Sequence, residues 1–151
     1  MARTPSGPFS QPVLTSLPAL GSKLELARQC GMDLFRIFHL HCARRLPALP
    51  DSHPCSRVHG HTFQVKIVLR GALDPVLGWV MDFNLIDTVW QRIHAQLDHR
   101  YLNDIAGLEN PTSERLAAWL WNALQTDLPQ LFTLTVMEGQ DMGCIYYGPD
   151  A

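Results

Sequence analysis

Along the chain, hydrophobic and polar positions switch period from two to about 3.6 and back again, and that order predicts the elements. From Leu34 to Arg45 the residues alternate. Leu34, Arg36, Phe38, Leu40 and Cys42 share one parity, and Phe35, Ile37, His39, His41 and Ala43 the other. This suits a strand with one buried face. Pro47, Pro50, Asp51, Ser52 and Pro54 then form a loop of restricted shape that carries Cys55 towards His59 and His61. A second strand runs from about His61 to Arg70. Gly71 and the Asp74-Pro75 step turn the chain, and Trp79 to Asp82 reads as extended again, so that the first three strands form an antiparallel meander.

The period then lengthens. Asp82 or Asn84 can cap a helix in which Leu85, Val89, Ile93 and Leu97 recur at helical spacing, joined by Ile86 and Trp90. This stripe reads as core packing and ends near Asp98-His99. Thr112 is a good N-cap for a second helix, with Glu114 placed in the first turn against the helix dipole. Its stripe is Leu116, Leu120 and Leu124, with Ala117, Trp121 and Leu128 beside them. Two strands close the chain, Phe132 to Glu138 and Cys144 to Tyr147. Hairpins grouped around two helices indicate an α+β fold with an antiparallel sheet.

Composition narrows this picture. The 151 residues suit one domain with its own core. Prolines 5, 8, 12 and 18 punctuate the beginning of the chain, so residues 1–31 are expected to form a flexible or weakly structured extension, with 32–151 as the domain. Lys23 to Cys30 has the pattern of a short helical turn, and Met32 is an alternative start. A net charge of −2 provides no basic field for a nucleic acid. No apolar run approaches the roughly 20 residues that span a bilayer, and no secretory leader is evident, so no membrane partner and a cytoplasmic location are expected. The four cysteines are widely and irregularly spaced, unlike a secreted disulfide framework.

Three constellations can carry chemistry. His59 and His61 stand two apart at the mouth of a strand, so their side chains leave one face and can converge on a metal ion. On spacing alone this is a weak pointer, and a third ligand has to come from elsewhere. Cys55, four positions upstream of His59, reads equally as ligand, reactive thiol or packing residue. Asp98-His99 pairs a carboxylate with an imidazole at a helix end, where it can orient the ring for proton transfer. Glu138, at the end of an otherwise apolar strand, is either solvent-facing or paired. As a ligand anchor it would suit a planar edge of two N–H groups.

Taken together, these residues resemble the 6-pyruvoyl-tetrahydropterin synthase superfamily, and within it the 6-carboxytetrahydropterin synthases of queuosine precursor synthesis. The matching segments are Arg45-Leu46-Pro47, Cys55-x-x-x-His59-Gly60-His61, Gly78 to Phe83, Leu97 to Asn103, Gly107 to Glu114 and Cys144 to Tyr146. The resemblance spans roughly Leu34 to Gly148. It implies a tunnelling fold, an antiparallel four-stranded sheet with two helices on one face, assembled as a homo-oligomer and commonly as a hexamer. It also implies zinc held by His59 and His61, Cys55 as a general base, Asp98 and His99 as a proton-transfer dyad, and Glu138 as the pterin anchor. The implied reaction converts 7,8-dihydroneopterin triphosphate to 6-carboxy-5,6,7,8-tetrahydropterin, acetaldehyde and triphosphate. The pyruvoyl-forming reaction is the same-fold alternative.

One position departs from that pattern. Where the family places a zinc-ligating histidine just before Arg-Leu-Pro, this chain has Arg44, and a permanent cation has no lone pair to donate. By alternation His39 and His41 point to the opposite face, and Cys42 lies about 6–7 Å further along the strand. Three readings follow: zinc with a third ligand of another kind, a metal-free site in which Arg44 holds an anionic group, or a catalytically silent pterin-binding paralogue. Glu138 is also followed by Gly139 where the family usually has threonine.

Overall fold

The computed structural model describes residues 31–149. Residues 1–30, and with them the helical turn expected at Lys23 to Cys30, lie outside the described residues. Strand β1 (Met32–Arg44) pairs antiparallel with β2 (His59–Gly71), β2 with β3 (Leu131–Met137) and β3 with β4 (Gly143–Tyr146). The result is one four-stranded sheet in the order β1-β2-β3-β4. Helices α1 (Phe83–Leu97) and α2 (Ser113–Leu124) both fall between β2 and β3 in the chain.

The alternation in β1 and β2 sets which face the helices cover. Leu40 and Cys42 of β1, Phe63, Val65, Ile67 and Leu69 of β2, and Leu134 and Val136 of β3 are buried in one cluster with both helices. Phe35, His39 and His41, on the other parity, are exposed. Arg36 shares the inner parity near the sheet edge, where its guanidinium turns to Asp87 of α1 (Nε to Oδ1, 2.9 Å).

Each helix starts on a side-chain cap. Asp82 accepts from the Asn84 N–H (2.9 Å), and Thr112 from the Arg115 N–H (3.3 Å). In α2 the expected stripe is buried in full. In α1 the buried residues are Ile86, Val89, Trp90, Ile93 and Leu97, while Leu85 is exposed because it lies a quarter-turn off that stripe.

The extended segment expected at Trp79 to Asp82 is not a strand. Asp74 Oδ1 accepts from the N–H groups of Val76 and Leu77, the Asp74 N–H donates to the Trp79 carbonyl and the Gly78 N–H to the Asp74 carbonyl, and Gly78 takes a left-handed φ of 73°. The chain then enters α1 at once, and β3 takes the place beside β2. None of the helices among the described residues is long and apolar enough to cross a membrane.

Candidate functional site

The site begins with the inner face of the sheet at the open end of β1 and β2. The register sets Arg44 directly across from His59 and Cys42 across from His61, so both histidines share the inner face with Arg44. The strand pair places these polar groups beyond Phe63, the last apolar residue of that row. Phe63 is their floor: the Arg44 Cζ lies 5.0 Å from its ring centroid, and the His61 ring is also 5.0 Å away.

Arg44 is 2% exposed, and a guanidinium so buried has to be paired. Its Nη2 donates to Glu138 Oε1 (2.7 Å) and to His61 Nε2 (3.2 Å), and its Nη1 donates to the carbonyl of Pro111 (2.9 Å) and to Ser113 Oγ (3.4 Å). Glu138 directly follows β3, its N–H bonded to the Met142 carbonyl (3.0 Å). The Ser113 hydroxyl, in the first turn of α2, also donates to Glu138 Oε1, so the carboxylate sits at the positive end of that helix. Burial alone would raise the Glu138 carboxyl. The hydrogen bonds from Ser113 and Arg44, with the charge of Arg44, outweigh it and hold the carboxyl below its ordinary range.

His61 is held neutral. Burial and then the neighbouring guanidinium both lower its pKa, and the hydrogen bond from Arg44 needs Nε2 as acceptor. His59 meets His61 edge to face (4.9 Å between centroids) and uses Nδ1–H on the Arg57 carbonyl (2.8 Å). Its Nε2 is buried without a partner.

Asp98 and His99 form a second group at the C-terminus of α1. His99 Nδ1 lies 2.6 Å from Asp98 Oδ2, which fixes the proton on Nδ1 and leaves Nε2 as the free lone pair. The other carboxylate oxygen accepts the His41 N–H (2.9 Å) and has His94 Nε2 at 3.4 Å. For Asp98 too, burial raises the carboxyl, and the His41 and His99 hydrogen bonds overcome it to leave the pKa lowered. His99 has a φ of 55°, uncommon for a residue with a side chain, and its N–H donates to the His41 carbonyl (2.5 Å). The dyad is thereby clamped to β1 three residues from Arg44.

Cys55 lies half-buried in a single 3-10 turn, Pro54–Ser56. Its backbone is tied at both ends, N–H to His53 Nδ1 (3.1 Å) and carbonyl to the Leu46 N–H (2.8 Å). Among the described residues, no side-chain hydrogen bond joins Cys55, the dyad and the Arg44 cluster to one another.

A sequence model of the 6-pyruvoyl tetrahydropterin synthase family matches residues 33–149. The chain belongs to this family. It is 32% identical over 122 residues to the 6-carboxy-5,6,7,8-tetrahydropterin synthase of Synechocystis sp., covering 77% of this chain and 93% of that protein. It is 37% identical over 89 residues to the dihydroneopterin monophosphate aldolase of Pyrococcus furiosus, covering 57% and 75%. Among solved structures it superposes on the 6-pyruvoyl tetrahydropterin synthase of Caenorhabditis elegans with a TM-score of 0.73 at 25% identity, over 78% of this chain and 96% of that one. The fold is the tunnelling fold of the 6-pyruvoyl tetrahydropterin synthase family.

Against that family's implied zinc, the donors of this chain do not fit. The His61 lone pair that would face a metal already accepts from Arg44, and the position opposite His59 holds a cation. Cys42 is buried in the core cluster, and burial pushes its thiol up to about 12. Among the described residues no group of three or more His, Cys, Asp or Glu converges to hold an ion. Sequence reasoning missed Ser113 and the Pro111 carbonyl as partners of Arg44. It also missed His41 and His94 as neighbours of Asp98, although the i,i+4 spacing of His94 and Asp98 was a usable signal.

Proposed function

We propose that this chain is a lyase of the 6-carboxytetrahydropterin synthase type. It would convert 7,8-dihydroneopterin triphosphate and water to 6-carboxy-5,6,7,8-tetrahydropterin, acetaldehyde and triphosphate. The observation that carries this reading is the Asp98–His99 pair, oriented with Nε2 of the ring free to take and return a proton. The overall reaction suits such a site. Of the three side-chain carbons, the first stays as the carboxylate and the outer two leave as acetaldehyde. Oxidation of the first is matched by reduction of the pterin ring and of the leaving pair, so proton transfers and bond cleavage suffice and no external redox partner is needed. Cys55 is assigned the proton on carbon. Glu138 Oε2, which is left when Oε1 is taken by Ser113 and Arg44, is assigned one N–H of the pterin.

A second reading is a pterin-binding protein without turnover. The closed Arg44–Glu138 pair favours it, because a guanidinium of the protein already makes a contact expected of the ligand. In either case the chain would act in the cytoplasm as a homo-oligomer; the exposed outer face of the sheet, with Phe35 and Ile145, supports assembly.

The test is incubation of purified protein with 7,8-dihydroneopterin triphosphate, with products identified by mass. Acetaldehyde together with 6-carboxytetrahydropterin supports the lyase. A product that keeps all three side-chain carbons marks the pyruvoyl-forming reaction, a two-carbon aldehyde that still carries the triphosphate marks aldol cleavage, and unchanged substrate recovered in complex marks the silent protein.

A further inference from the structure

The functional reading leaves unexplained why the most buried charged side chain of the described residues stands where the family fold implies a metal. Arg44 is not a bystander that swings aside. Both terminal nitrogens of its guanidinium are committed, to acceptors from three different parts of the fold: Pro111 and Ser113 at the start of α2, His61 on β2, and Glu138 after β3. The aromatic ring of Phe63 lies beneath it. Each acceptor is already met by an N–H of the guanidinium, and a metal could not occupy the same place together with it.

We infer that Arg44 is a built-in replacement for the metal, a covalently tethered cation that completes this site, holds Glu138 in place and excludes zinc. Charge counting supports the assignment. Arg44 and Glu138 cancel, and the hydrogen bond from Arg44 requires His61 to present a lone pair, so the cluster is neutral as folded. A divalent ion added there would face a fixed positive charge held 2% exposed, where water is largely excluded and screens the repulsion poorly. It would also find just two uncommitted donor atoms in the cluster, His59 Nε2 and Glu138 Oε2, where a zinc site requires three or four donors. The consequence is a site whose integrity does not depend on zinc supply.

This inference goes beyond the pterin reading and is tested without substrate. The full-length protein is purified from zinc-replete cells, its zinc measured by elemental mass spectrometry, and the protein titrated with cobalt(II), whose visible absorption intensifies in a four-coordinate site. The expected result is below about one tenth of an equivalent of zinc, no cobalt absorption, and an unfolding midpoint unmoved by zinc or chelator. Arg44→His should gain about one equivalent of either metal and lose it when His59 and His61 are also replaced by alanine. About one equivalent in the unmodified protein, dependent on His59 and His61, would overturn the inference. A folded Arg44→His that still binds no metal would remove Arg44 from the role of excluding it. Should that variant not fold, the metal content and chelator response of the unmodified protein still decide the matter.

Discussion

At the scale of single residues, the site is governed by one buried charge and what neutralises it. Removing one member of a buried ion pair leaves the other uncompensated, which generally costs about 3–5 kcal/mol. Glu138 is 23% exposed, so the lower end of that range applies, and Glu138→Gln should destabilise the protein by about 3 kcal/mol in urea unfolding with an unchanged m-value. Asp98 makes a different prediction, about pH. Its folded pKa is depressed, so it contributes stability above the unfolded carboxylate value of about 4, and that contribution is lost as pH falls through the lower folded value. In Asp98→Asn this part of the acid dependence should vanish from a series of unfolding midpoints between about pH 5 and 2, while the neutral region shifts by a constant offset. If the lyase reading holds, the same variant should lose about 10²–10⁴ in kcat, because His99 would no longer be held with Nε2 free. Glu138, Asp98 and His99 were legible in the sequence as chemistry-bearing types at element ends, and Arg44 as a conflict with the motif around it. That both terminal nitrogens of Arg44 would find acceptors, with Nε alone left unpartnered, was not legible. Its partners Ser113 and Pro111 lie at the start of α2, and only the packing of that helix on the sheet brings them to β1.

At the scale of elements, the two helices hold the site by opposite ends, α2 offering its N-terminus to Glu138 and α1 its C-terminus to Asp98 and His99. Their seating can be tested by contrast. Leu120 is fully buried in the cluster against the sheet, so Leu120→Ala should cost about 2–5 kcal/mol, whereas Leu85→Ala should stay within about 0.5 kcal/mol. A large loss at Leu85 would mean that α1 is rotated from the position described. Helix periodicity located both elements because 3.6-residue spacing survives in any tertiary context. It misassigned Leu85, since a stripe of four leads equally from position 85 or 86. The segment Trp79 to Asp82 failed for another reason. Its short apolar run of Trp79, Val80 and Met81 suits an extended segment, yet the loop before it is closed by the Asp74 carboxylate, and a side chain that satisfies backbone donors leaves no trace in hydrophobic period. Nearness in the chain does account for the strand order, since consecutive strands pair throughout the sheet; only the partner of β2 was misplaced, being β3 and not the segment Trp79 to Asp82.

At the scale of the whole molecule, the sheet has one face packed and one bare. An antiparallel sheet with a solvated face normally carries polar residues there, but this one presents Phe35 and Ile145, and Tyr147 just past the end of β4, each more than half exposed, around a shallow recess that also includes Lys66 and Asp33. The long edge strand β1 is met on its outer side at His41 and Ala43 by the segment from Asp98 to Tyr101, and the rest of that edge has no neighbouring strand. Both features are expensive to leave in water and cheap to bury against further copies of the chain. The protein should therefore sediment as a homo-oligomer at micromolar concentration. Replacing Phe35 and Ile145 together by glutamate should shift it towards the single chain. Neither side chain belongs to the core cluster between sheet and helices, so the far-ultraviolet circular dichroism should be unchanged. Sedimentation velocity across a dilution series checks this directly. A wild-type protein that runs as a monomer throughout would show that the bare face is tolerated in water.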